Sequence, residues 1–156
     1  MAQRKEQPGI KIIAKNKRAW HEYEILDTWE AGLVLLGTEV KALRNGRVNL
    51  GDSYGEIRAG EAWLVKMHIG PYEMGNRENH DPFRRRKLLL NRREIRKIRP
   101  KVEEQGLTLV PLKIYFKKGR VKIELGLGRG KKLHDKRDAK AKKDVQRRIE
   151  KEMGRR

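Results

Sequence analysis

From Arg129 to Arg156 the chain carries thirteen Lys and Arg against five Asp and Glu, with almost nothing apolar between them, and this limits what the rest can be. A segment of that composition buries too little surface to offset the entropy of ordering itself. Residues 129–156 therefore form a basic C-terminal tail, disordered when free, that contributes +8 of the chain's +19. The opening "MAQRKEQPG" is polar and closes on Pro-Gly, so residues 1–9 are a flexible N-terminal arm. A core must be built from residues 10–128, a length that suits one domain.

Within those bounds short apolar runs are broken at intervals by Gly and turn residues. From Ile12 to Leu36 the chain is rich in strand formers. In "HEYEIL", Tyr23 and Ile25 alternate with Glu22 and Glu24, the period-two mark of a half-buried strand. Gly32 in "WEAGLVLL" predicts a bulge or bend. "TEVKALRNG" predicts a short helix with Thr38 as N-cap, Val40 and Leu43 on one face and Asn45-Gly46 at its end. "YGEIRAGEAWLVKM" reads as a hairpin turning at Ala59-Gly60, with Trp63, Val65 and Met67 on one face. "GPYEMGNRENHDPFRRR" has no period and reads as a long exposed loop. Asn91 and Glu94 then open a helix whose apolar face is Ile95, Ile98 and Val102, and Pro100 is expected to kink it or end its first part. "LTLVPLKIYF" and "RVKIELGLG" alternate about a Lys118-Gly119 turn, with Pro111 marking a bulge or an edge. About six strands with two or three short helices predict a mainly β fold, a small antiparallel β-barrel related to the oligonucleotide-binding fold.

A sequence pI near 10.4 with 39% charged residues draws in polyanions, nucleic acid first. No run approaches the roughly 18 apolar residues of a membrane-spanning helix, and no apolar signal segment follows Met1. The expectation is a cytoplasmic protein with no membrane partner. Absence of cysteine removes disulfides, thiolate catalysis and cysteine-bound zinc together.

Enzyme readings need a constellation, and none assembles. His21, His68, His80 and His134 lack the i, i+4 spacing of a helical metal site. Glu22, Glu24 and Glu30 come off a strand, where carboxylates usually face solvent or pair with Lys and Arg. "GLGRGKK" resembles a phosphate loop, yet Leu125 stands where that pattern needs glycine and Lys132 where it needs Ser or Thr for magnesium. The expectation is no catalysis, no metal and no cofactor.

Two basic clusters point to nucleic acid instead. Lys15, Lys17 and Arg18 flank Trp20 and His21, and Arg84, Arg85, Arg86 and Lys87 precede "LLLN". Trp20, Tyr23 and the three leucines from Leu88 to Leu90 are expected to be mostly core, since strand aromatics and leucines usually pack. On composition alone a ribosomal protein or general RNA chaperone fits too. An RNA-processing enzyme would need a metal-binding acid cluster.

Four stretches, "NKRAWHEYEI", "EAGLVLLGTEVKALRNG", "RKLLLNRREI" and "GLGRGKKLHDKR", resemble in order the small protein B family, the SsrA-binding proteins of bacteria. The resemblance spans nearly the whole chain from about Ile10. It implies an RNA-binding protein that holds the tRNA-like domain of transfer-messenger RNA and carries it to stalled ribosomes for trans-translation, so that incomplete peptides are tagged for degradation. Through the motifs, the RNA-binding positions fall on Glu30, Leu89 and Asn91, with Tyr23 in "HEY"; the basic clusters add Lys17, Arg18, His21, Arg85 and Lys87. Glu30 could accept from a base amino group or bond the bulge at Gly32, and Asn91 could contact RNA or cap its helix. In the tail, Gly130, Lys131, Lys132, His134, Asp135, Lys136 and Arg137 are implied to meet the decoding centre of the small ribosomal subunit. Ala141, Val145, Ile149 and Met153 recur every four residues, a stripe too thin to hold a helix in water but able to line one on the ribosome.

Overall fold

In the computed structural model, which describes residues 9–72, 79–131 and 145–148, the apolar alternation closes a ring. The strands are β1 (Ile10–Lys15), β2 (Tyr23–Leu33), β3 (Val48–Asn49), β4 (Tyr54–Arg58), β5 (Glu61–Val65), β6 (His68–Ile69), β7 (Arg86–Leu89), β8 (Thr108–Lys117) and β9 (Arg120–Gly130). Antiparallel pairing runs β8-β4-β5-β7-β2-β9 and returns to β8, with β1 added to the rest of β8's edge. Closure removes most free sheet edges. The expected mainly β antiparallel barrel is what forms.

The barrel interior is filled by one residue in two. Ala31, Leu64, Leu88, Leu109, Ile114, Ile123 and Leu125 are all buried in one cluster. Helices α2 (Gly37–Arg44) and α3 (Arg92–Glu103) close over it with Ala42, Leu43 and Ile98, while Ile95 and Val102 pack at the margin. Gly55 on β4 sits so close to this core that an added methyl would lie 2.5 Å from Leu109 Cδ2. Gly55→Ala is expected to cost about 1–3 kcal/mol through overpacking, read as a lower thermal midpoint.

A third helix, α1 (Lys17–Glu22), was not foreseen, because Ile12 to Leu36 reads as strand throughout. Its signal is Asn16: the side chain accepts from the Ala19 amide at 3.2 Å and donates to the Pro111 carbonyl at 2.9 Å. Ala19 then seats on a small second core with Val110 and Leu112, flanked by Tyr23 and Ile25. The glycines of "GLG" make room for it. A methyl at Gly126 would meet Leu112 at 3.0 Å, and one at Gly128 would meet Tyr23 Cβ at 2.8 Å.

Other details depart from expectation for local reasons. The irregularity in β2 lies between Ile25 and Asp27, whereas Gly32 is paired regularly. Helix α2 starts two residues earlier than expected: Leu36, not Thr38, is its N-cap, and Glu39 accepts the Leu36 amide at 2.8 Å. Trp63 and Val65 stay half-buried while Ala62, Leu64 and Met67 are buried. Lys66, at φ 63, breaks the alternation and turns Met67 inward. Helix α3 runs through Pro100, held on both sides by Ile98 and Val102, and ends where Gly106 takes φ 66 and Leu107 donates to the Lys101 carbonyl. The turns at Ala59-Gly60 and Lys118-Gly119 form as expected, and β8 is irregular just after Pro111.

Candidate nucleic-acid interface

A row of paired positions runs across five strands, open to solvent at Leu89 and covered at Tyr115, which is 3% exposed. Leu89 on β7 pairs with Gly32 on β2, Gly32 with Lys122 on β9, Lys122 with Tyr115 on β8, and Tyr115 with Ile12 on β1. Leu89 is 53% exposed while Leu88 beside it is buried, so the expectation of Leu89 in the core is overturned by strand alternation. Its side chain lies over Gly32, where a methyl would be only 3.2 Å from Leu89 Cδ1. An exposed leucine flattened on a sheet is a surface on which a base or ribose can rest.

Glu30 lies two residues before Gly32, on the same face. Its Oε2 accepts from the Tyr115 hydroxyl at 2.5 Å and from Lys117 Nζ at 3.3 Å, and its Oε1 accepts from Lys117 Nζ at 3.2 Å. The Tyr115 hydrogen bond holds the Glu30 carboxyl below the ordinary carboxylate value; burial opposes this and Lys117 adds to it. Burial, then Glu30, pushes the Tyr115 phenol up, so it remains a donor. Glu30 is thus an ionised acceptor fixed by β8 rather than by the backbone at Gly32, and a carboxylate's four lone-pair sites leave one on Oε1 for a ligand.

Asn91 is the N-cap of α3: its Oδ1 accepts from the Glu94 amide at 2.9 Å, and the Glu94 carboxylate accepts the Asn91 amide at 3.2 Å. Cap and ligand roles are compatible, because the Asn91 side-chain NH₂ bonds no described residue and points from an exposed position. From that cap α3 presents Arg92, Arg93, Arg96 and Lys97, all exposed and none ion-paired among the described residues. These cations were missed in the sequence. Their signal was available as the face of α3 opposite Ile95, Ile98 and Val102.

The arginine run before β7 is split by strand alternation. Arg85 and Lys87 stay outside, near Glu56 at 3.8 Å and Glu61 at 3.1 Å. Arg84 and Arg86 turn inward to Glu39, at 2.6 Å each. Arg86 is fully buried and also donates to the carbonyls of Met67 and Pro82. Burial alone would push the Glu39 carboxyl up, but Arg84, the Leu36 amide and Arg86 outweigh it and hold the group below its ordinary value. The loop before β7 is therefore partly anchored: His80 is also buried, between Thr38 Oγ1 at 3.0 Å and the Ile69 carbonyl at 2.9 Å.

The remaining candidates gather where β9 ends. Lys17, Arg18 and His21 are exposed on α1, with Arg18 paired to Glu22 at 2.9 Å and Asp52 at 3.3 Å. Trp20 is 53% exposed, not core, because α1 seats through Ala19. Tyr23 is half-buried and pairs with Gly130. Gly130 thus ends a strand, and Lys131 donates its amide to the Glu22 carbonyl at 2.9 Å and its ammonium to the Trp20 carbonyl at 3.2 Å. Val145 lies in a short helical stretch, 145–148, and is exposed. Lys132, His134, Asp135, Lys136, Arg137 and Ile149 lie outside the described residues. Among those described, no group of three or more His, Asp or Glu is placed to hold a metal, and no helix is long and apolar enough to cross a membrane.

Comparison with known proteins meets this geometry from the other side. Residues 13–155 match the family model described as SmpB protein. SsrA-binding proteins of Desulfitobacterium hafniense and Carboxydothermus hydrogenoformans are each 59% identical, over 91% of both chains and over 92% and 96% respectively. That of Thermosynechococcus vestitus is 58% identical over 93% of this chain and 96% of its own. A chain in the solved structure "tmRNA-SmpB: a journey to the center of the bacterial ribosome" superposes with a TM-score of 0.65, at 54% identity, covering 77% of this chain and 85% of that one. A family match over residues 13–155 and relatives 59% identical over nine-tenths of their length show that the chain belongs to the SmpB family.

Proposed function

We propose that this protein binds the tRNA-like domain of transfer-messenger RNA through Leu89, Glu30 and Lys122 on this face and the start of α3, and delivers it to stalled ribosomes for trans-translation. It acts in the cytoplasm as a binding protein, and the chemistry of tagging belongs to its RNA partners. The observation that carries this reading is that Leu89 lies over Gly32 on the face of Glu30 and leads through Asn91 into α3, whose Arg92, Arg93, Arg96 and Lys97 pair with no described residue. The names of the relatives, SsrA-binding protein, and the tmRNA and ribosome of the solved neighbour support it. Leu89 offers an apolar platform, Glu30 an acceptor and Asn91 a donor, while Arg92, Arg93, Arg96, Lys97 and Lys122 neutralise phosphates. Arg85 and Lys87, and Lys17, Arg18 and His21 on α1, extend the positive rim. Gly130 and Lys131 launch the tail, whose Lys132 to Arg137 segment and Val145-Ile149 stripe engage the decoding centre.

The test pulls the protein from a bacterial lysate and sequences the RNA that comes with it. Enrichment of transfer-messenger RNA over tRNA and ribosomal RNA fragments is expected; an even spread would favour a general RNA chaperone. Asn91→Ser separates cap from contact. Serine caps nearly as well as asparagine, so stability should change by no more than about 0.5 kcal/mol, while gel shifts with the tRNA-like domain show weaker binding. Leu89→Ala, at an exposed position, should likewise lower affinity with little change in melting. Unchanged affinity in both variants would remove this face from the interface.

A further inference from the structure

A cleft of about 860 Å³ opens at the other end of the barrel, lined by Asn49, Asp52, Tyr54, Lys66, His68 and Phe83. Register separates it from the face described above. Ala62 pairs with Leu88 and Leu64 with Arg86, which sets Leu89 beside Glu61. Lys66 lies five residues farther along, roughly 16 Å at strand spacing.

The cleft is built from β3, the start of β4, β6 and the turn at Phe83, none of which carries Glu30, Leu89 or Asn91, and it meets the positive rim only through the Asp52–Arg18 pair. Asn49 and His68 face each other across the short β3–β6 ribbon, and Tyr54 begins β4 beside the end of β5. Phe83 is 60% exposed, yet it is held edge-on to the His68 ring, 4.9 Å between centroids at 61°. Its turn is pinned by Asp81, whose carboxylate accepts the Phe83 amide at 3.0 Å. Lys66 places its ammonium 5.9 Å from the centre of the Tyr54 ring.

The polar groups around these rings have spare capacity. Asn49 Oδ1 accepts the Gly51 amide at 2.8 Å, and its NH₂ bonds no described residue. Neither the His68 nitrogens nor the Tyr54 hydroxyl hydrogen-bonds a described side chain or backbone group. Asp52, held by Arg18 at 3.3 Å, supplies an acceptor at the rim. Aromatic walls, an ammonium, an amide donor and a fixed acceptor are the groups that take one splayed-out nucleotide: rings for the base, the ammonium for its phosphate, amide and carboxylate for its edge. An apolar peptide would leave these polar groups unsatisfied.

We infer that this cleft binds a single unpaired RNA nucleotide, at a site distinct from the Leu89 face. The inference rests on the RNA-binding reading above. Either the tRNA-like domain or ribosomal RNA could supply the nucleotide, and two arms of one experiment separate these sources. The full chain, Phe83→Ala, Phe83→Trp and Lys66→Gly are measured by filter binding to the isolated tRNA-like domain RNA and to vacant 70S ribosomes. Each wild-type mixture is also irradiated at short wavelength and searched by mass spectrometry for nucleotide adducts. Phe83→Ala is expected to weaken one of the two arms about fivefold or more, the loss of a stacked base, while Phe83→Trp keeps affinity within about twofold of wild type. Lys66→Gly removes the cation at a backbone position that glycine adopts without strain, so it should bind the same arm more weakly with its thermal midpoint preserved. The adduct should fall on the peptide holding Tyr54, His68 or Phe83 in that arm. Binding equal to wild type in Phe83→Ala and Lys66→Gly, or adducts only elsewhere, would overturn the inference and leave the Leu89 face standing. A wild-type chain that bound neither RNA would overturn both readings.

Discussion

Glu39→Ala is expected to destabilise the fold by about 3–5 kcal/mol, the cost of leaving a buried charge without its partner. Arg86 is fully buried, and Glu39 is its only carboxylate partner among the described residues. The same carboxylate holds Arg84 and the Leu36 amide, so one truncation releases the start of β7, the N-terminus of α2 and the loop leading to Arg86. Urea denaturation monitored by circular dichroism would measure the loss; a cost under about 1 kcal/mol would show that water or a rearranged Arg84 replaces the carboxylate. The pH dependence has a definite sign. The folded-state value of Glu39 lies below its ordinary 4.5, so the folded state binds fewer protons than the unfolded state in the acid range. Its stabilisation is fully present above pH 4.5 and is lost as pH falls through the depressed folded value. Glu39→Gln should therefore be less stable at neutral pH and show a shallower fall in stability on acidification.

Ending the chain after Lys131 should abolish tagging of stalled peptides while binding to the tRNA-like domain stays within a few-fold of wild type. The barrel survives this cut, because β9 ends at Gly130 and Lys131 completes its bonds to α1. What is lost is the segment from Lys132, with eleven Lys and Arg against five Asp and Glu, a charge of 11 − 5 = +6 proposed to meet ribosomal RNA. Peptide tagging in a reconstituted translation system and gel shifts with the tRNA-like domain separate the two effects. Val145→Pro offers a finer cut, since proline inside a helix costs about 3 kcal/mol. Impaired tagging is expected if the tail is helical at that point on the ribosome; normal tagging would confine its action to the "GKKLHDKR" segment.

The Leu89 row shows how far local reading reaches. Alternation in "YEIL" and "RVKIELGLG", the turns at Ala59-Gly60 and Lys118-Gly119, and the capping pair Asn91 and Glu94 were legible because each is decided within about four residues, whereas His21 and Glu22 went to α1. The order of the motifs was enough to mark Glu30, Leu89 and Asn91. Their meeting was not legible. It needs β2 between β7 and β9, and strand order is set by which faces can be buried together, a choice no single segment contains.

Charge behaved the same way. Composition alone established a strongly basic chain with +8 of its +19 carried after residue 128, since net charge is a sum over residues and needs no coordinates. Which cations face solvent is not such a sum. Arg85 and Arg86 are neighbours of the same kind, yet one is exposed and the other lies in the core. Strand alternation sends them to opposite sides, and only tertiary packing put Glu39 where the inward one had to be neutralised. Trp20 and Leu89 reached the surface by the same rule: an element presents to solvent whatever its partners leave uncovered.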